Sequence, residues 1–130
     1  MMLYLDNAAT TLKKPLSVYA TLFKSTLFSG GNAGRGGHKM SMDAVRAIVD
    51  TQDLIAQLFN IKKAENVVFT QNATYALNTA ILGTMSNGGH IVVTEMDHNS
   101  VLRPACLPGN YTVVKADKSG YVHAEDVEKA

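Results

Sequence analysis

Four short segments hold the side chains able to do chemistry. His98, in Glu95-Met96-Asp97-His98, offers a flat imidazole, a group that stacks on aromatic rings and moves protons near neutral pH. Asn72-Ala73-Thr74 follows an apolar run and precedes a helical pattern. A helix start there leaves backbone N–H groups free beside the Thr74 hydroxyl, an arrangement that suits a phosphate. Five glycines crowd the nine residues from Ser29 to Gly37, in Ser29-Gly30-Gly31-Asn32-Ala33-Gly34-Arg35-Gly36-Gly37, with His38 next. Arg35 and His38 therefore stand on a backbone able to lie against a ligand. Asp6-Asn7-Ala8-Ala9-Thr10-Thr11 reads as an Asx turn. Residue type alone leaves a second reading open for each: Asn72 and Thr74 as capping residues, His98 as a surface histidine, Arg35 as a solvated side chain on a loose loop. The glycine segment has neither P-loop spacing nor the preceding strand of a dinucleotide motif.

Positioning these groups requires alternating elements. Pro15 in a first-turn position and apolar Leu16, Tyr19, Ala20, Leu22, Phe23 and Leu27 predict a helix from Pro15 to about Phe28. Ser41 is the expected N-cap of a second helix reaching Phe59, with Val45, Ile48, Val49, Ile55 and Leu58 on one face. Val67-Val68-Phe69 predicts a buried strand over residues 66–70, and Asn72 caps a helix ending near Met85, before the Asn87-Gly88-Gly89 turn. A second strand over 90–94, a short helix over 100–107 limited by Pro104 and Pro108, a third strand over 111–115 and a turn at Asp117-Lys118-Ser119-Gly120 follow. This alternation indicates an α/β layer with a mostly parallel sheet, one antiparallel strand remaining open. His98 then stands at the C-terminal edge of the sheet, where ligands of such folds bind.

Composition narrows the partners. The chain has 130 residues, 46% of them hydrophobic, enough for a core. Twelve Lys and Arg against eleven Asp and Glu give a net charge of +1 without a run of either sign, which argues against nucleic acid. One cysteine, Cys106, and no His or Cys pairs at zinc-ligand spacing suit a reducing, cytoplasmic setting with no metal site. No basic flank or long apolar stretch marks a secretory signal, and no apolar window is long enough for a membrane span. Residues 123–130 open with the acidic first turn of a helix, and the sequence stops there, so a truncated fragment is expected.

In this order and at these spacings, the four segments resemble the N-terminal part of a fold-type I pyridoxal-phosphate enzyme of the class V aminotransferase and cysteine desulfurase family. The resemblance covers nearly all 130 residues. It implies that residues 1–40 are an N-terminal arm, a helix and a Gly-rich active-site loop, and that 41–130 begin the large cofactor domain, truncated. It implies that Ala73 and Thr74 grip the cofactor phosphate, in a turn where the family frequently has Gly and Glu at the places of Asn72 and Tyr75. It further implies that His98 stacks over the pyridine ring and serves as a catalytic acid–base group. Asn7, Ala8 and Ala9, with Arg35 and His38 of the Asn-x-Gly-Arg-Gly-x-His segment, are implied on the substrate side. The implied reaction takes L-cysteine to L-alanine and an enzyme persulfide, in a homodimer that passes sulfur to an acceptor protein for iron–sulfur or related delivery. The family's cofactor-holding lysine and nucleophilic cysteine belong to later sequence than Ala130, so the fragment alone is expected to be inactive. Cys106, in Leu102-Arg103-Pro104-Ala105-Cys106-Leu107-Pro108, reads as a packed residue. Two other functions stay in view: a class V aminotransferase or lyase acting on another amino acid, and a non-catalytic α/β module binding a phosphate ligand or a protein.

Overall fold

A computed structural model describes residues 3–130; Met1 and Met2, at the head of the expected arm, lie outside the described residues. The chain divides between Val68 and Phe69 into two compact units.

In the first unit, helix α1 (Leu16–Phe28) starts after Pro15, whose missing N–H costs nothing at a helix start, but none of its residues is buried. Helix α2 (Lys39–Leu58) begins earlier than the sequence suggests. Ser41 is not its cap. His38 takes that place, accepting from the Ser41 N–H, and Ser41 is wholly buried inside the first turn. An imidazole nitrogen does here what a hydroxyl usually does. A small core forms around Ala56 and Val67, with the Gln52 amide donating to the Val67 carbonyl at 2.7 Å. The expected strand over 66–70 is absent. Ala64–Asn66 is a single 3-10 turn, and Val68 and Phe69 are 77% and 50% exposed. A β-branched run becomes a strand only beside a partner, and the two strands of the described residues pair with each other alone.

The second unit follows its prediction more closely. Helix α3 (Ala73–Met85) is capped by Asn72, whose side chain accepts from the Tyr75 N–H at 2.9 Å. Strand β1 (Ile91–Thr94), helix α4 (Asn99–Cys106) and strand β2 (Tyr111–Val114) form a βαβ unit. The strands pair in parallel from Ile91 opposite Tyr111 to Thr94 opposite Val114, which closes the antiparallel option. Val93, Ala105 and Val114 are its buried apolar residues, with Pro104 fully buried. Pro104 was expected to limit α4, yet it lies inside the helix. Its ring removes the N–H that would bond the Ser100 carbonyl. That carbonyl accepts instead from the Asn78 amide of α3, at 3.4 Å. After β2, the Asp117 carboxylate takes the Ser119 N–H, the Ser119 hydroxyl and the Tyr121 N–H, closing the turn before helix α5 (Ala124–Lys129). Among the described residues no helix is long and apolar enough to cross a membrane.

Candidate functional site

The start of α3 supplies an anion-binding set of donors. The Asn72 side chain satisfies the Tyr75 N–H, and the first turn of the helix closes with the Ala76 N–H on the Asn72 carbonyl at 3.1 Å. The N–H groups of Ala73 and Thr74 come before that bond. Among the described hydrogen bonds neither they nor the Thr74 hydroxyl has an acceptor. Two backbone donors and a hydroxyl therefore stand free at the positive end of a thirteen-residue helix.

His98 arrives from the C-terminal edge of the sheet on a braced turn. Asp97 accepts from the Thr94 N–H at 2.7 Å and from the Thr94 hydroxyl at 3.1 Å, folding the chain back where β1 ends. Glu95 accepts from the Ala116 N–H at 2.7 Å, tying the exits of the two strands together. His98 itself is the N-cap of α4. Its Nδ1 accepts from the Ser100 N–H at 3.1 Å and lies 2.8 Å from the Ser100 hydroxyl. A backbone N–H is always a donor, so the neutral ring carries its proton on Nε2. The cap fixes the ring and leaves an Nε2–H pointing away from the helix: a hydrogen-bond donor and a flat face, rather than a free base.

Thr74 and His98 line one cavity of about 360 Å³, together with Asn78, Asn99, Ser100 and Arg103. Arg103 is the cation among these lining residues, and it has no acidic partner among the described ion pairs. A threonine, a guanidinium side chain and a planar ring line the cavity beside a helix start with free N–H groups, a chemistry that fits a phosphorylated aromatic cofactor such as pyridoxal phosphate.

The structure thus brings Thr74 and His98 to one cavity in the second unit, with Ala73 next to Thr74 at the helix start but not among the lining residues. The substrate-side candidates lie in the first. His38 and Arg35 meet through Ser41, whose hydroxyl donates to the Arg35 carbonyl at 3.3 Å and lies 3.0 Å from His38 Nε2. Asn7, Ala8 and Ala9 occupy an exposed stretch, where the Asn7 N–H donates to the Leu5 carbonyl. Sequence reasoning missed Asn78, Ser100 and Arg103. A signal existed for Asn78, which stands four residues after Thr74 and so on the same helical face. A second signal was Pro104, because a proline inside a helix leaves a carbonyl in need of a donor.

Comparison with known proteins places the chain in a family. The family described as aminotransferase class-V matches residues 3–130. A protein of Aeropyrum pernix named a probable cysteine desulfurase is 40% identical over 105 residues, covering 78% of this chain and 25% of that protein. One of the same name from Synechocystis sp. is 33% identical over 107 residues, covering 79% and 25%. Another from Borreliella burgdorferi is 27% identical over 137 residues, covering 98% and 32%. The chain spans a quarter to a third of the length of these curated relatives.

Proposed function

The chain belongs to the aminotransferase class-V family, and from that premise we propose that its 130 residues are the N-terminal portion of a pyridoxal-phosphate enzyme that removes sulfur from L-cysteine. Residues 1–40 are the arm and active-site loop, and 41–130 the beginning of the cofactor domain. The products are L-alanine and a persulfide on the enzyme, passed to a sulfur-acceptor protein by a homodimer in the cytoplasm. The names of the relatives support the substrate. One observation carries the cofactor: Thr74, at a helix start whose first N–H groups have no described acceptor, and His98 line the same cavity.

Bound pyridoxal phosphate supplies a ring that takes up electrons from the substrate. The chain does the rest of the work at this end of the site. Ala73 and Thr74 hold the phosphate with charge-assisted hydrogen bonds at the helix start. His98, fixed by its cap, covers the ring and presents a proton at Nε2. Asn7, Ala8, Ala9, Arg35 and His38 border the amino-acid substrate.

The test is to express the whole reading frame that contains this sequence, add pyridoxal phosphate, record the visible spectrum and measure alanine formed from L-cysteine. A cofactor band and alanine are expected. No band at saturating cofactor would overturn the reading. A band with turnover of another amino acid instead would place the protein among the family's aminotransferases or lyases.

A further inference from the structure

We propose that Asn78 is a positioning residue that clamps the phosphate-binding turn to the helix carrying His98. The inference rests on the cofactor reading above. Thr74 and His98 belong to different elements, and a cofactor gripped at both ends tolerates little play between them. Asn78 is the described side chain that bonds to both helices. Its Nδ2 donates to the Thr74 carbonyl on its own helix at 2.8 Å and to the Ser100 carbonyl of α4 at 3.4 Å.

The second acceptor is available for a reason written in the sequence. Residue 104 would bond the Ser100 carbonyl if it had an N–H, and Pro104 has none. A part-buried carbonyl without a donor is costly, so Pro104 and Asn78 are a matched pair: one frees the acceptor and the other reaches across to fill it. Ser100 joins the remaining link, since its N–H donates to His98 Nδ1. A continuous chain of hydrogen bonds thus runs from Thr74 through Asn78 and Ser100 to the imidazole, along one wall of the cavity. Asn78 touches neither end of the proposed cofactor; it sets where the two ends stand.

The test uses the protein encoded by the whole reading frame and measures dissociation of pyridoxal phosphate together with its absorption spectrum. Asn78→Ala removes both bonds while favouring the helix, and should weaken cofactor binding roughly tenfold and shift the band. Asn78→Ser keeps a hydroxyl able to bond back to the Thr74 carbonyl but too short to reach Ser100. It should lose as much as Asn78→Ala. Wild-type affinity in either variant overturns the clamp.

A cycle with Thr74→Val separates positioning from general stability. If Asn78 acts by placing the turn, the share of its effect that passes through the Thr74 hydroxyl should vanish with that hydroxyl, so its removal should cost measurably less in that background than in the wild type, the remainder acting through the Ala73 and Thr74 N–H groups. An undiminished loss in that background overturns the proposal, even if one of the variants folds poorly. Failure of the wild-type protein to bind the cofactor at all would instead defeat the functional reading on which the clamp rests.

Discussion

His98 does two jobs that substitution can separate. As a cap it bonds the Ser100 N–H, and as a ring it lines the cavity. Asn caps helices well but has no ring, so His98→Asn should leave melting unchanged while perturbing the cofactor spectrum and lowering turnover by about 10²–10⁴-fold. His98→Ala should add a loss of about 1 kcal/mol of stability from the missing cap. His98→Phe should keep stacking and much of the cofactor affinity, yet lose the proton. Equal spectra and rates in all three variants would remove His98 from the site. Thr74→Val is the companion measurement at the other end: loss of a hydroxyl to a phosphate should cost roughly 1.5–3 kcal/mol of cofactor binding, and unchanged affinity would exclude that contact.

Elements set the reach of the sequence. Where a signal was local and its partner lay within a few residues, it was legible: Asn72 caps α3, Pro15 precedes α1, and Asp117 closes its turn. Where the partner was distant, it was not. Val67-Val68-Phe69 has strand composition but no strand to pair with among the described residues, and Pro104 lies inside α4 where Asn78, far back in the sequence, donates to the Ser100 carbonyl. Ser41 misled for a third reason, since a serine in a first turn looks like a cap whether it caps or is itself held by a histidine. The Asp117 turn carries a pH prediction. Hydrogen bonds from the Ser119 hydroxyl first, then from the Tyr121 and Ser119 N–H groups, hold its carboxyl well below the usual carboxylate range. A folded-state value below the unfolded one means that this contribution is full above the ordinary carboxylate value and is lost as pH falls through the folded value. Protection of the Ser119 and Tyr121 amides, taken as exchange relative to the intrinsic rate at each pH, should therefore hold from neutrality down to about pH 4 and fall below it. Asp117→Asn should show no such acid step, and a step that persisted in that variant would assign it to another group.

At the scale of the whole molecule, surface area argues that these residues need company. The chain exposes 10797 Å². A separate folded body of half its mass exposes about 4,000 Å², so two such bodies, however arranged, would show only about 8,000 Å². The excess is apolar in good part. Helix α1 buries nothing, with Leu16, Leu22 and Phe23 at 85%, 65% and 67% exposure, and Leu54, Leu58 and Phe59 are similarly bare. Both strands are four residues long, and each has a neighbour on one side alone among the described residues, leaving unpaired edges. Apolar faces and open edges of this extent bind whatever apolar surface is at hand. The 130 residues expressed alone should consequently self-associate, with a mass from light scattering that rises with concentration. A compact monomer of 14.0 kDa at every concentration would mean that the bare faces repack within the chain, and would count against these residues being one part of a larger fold.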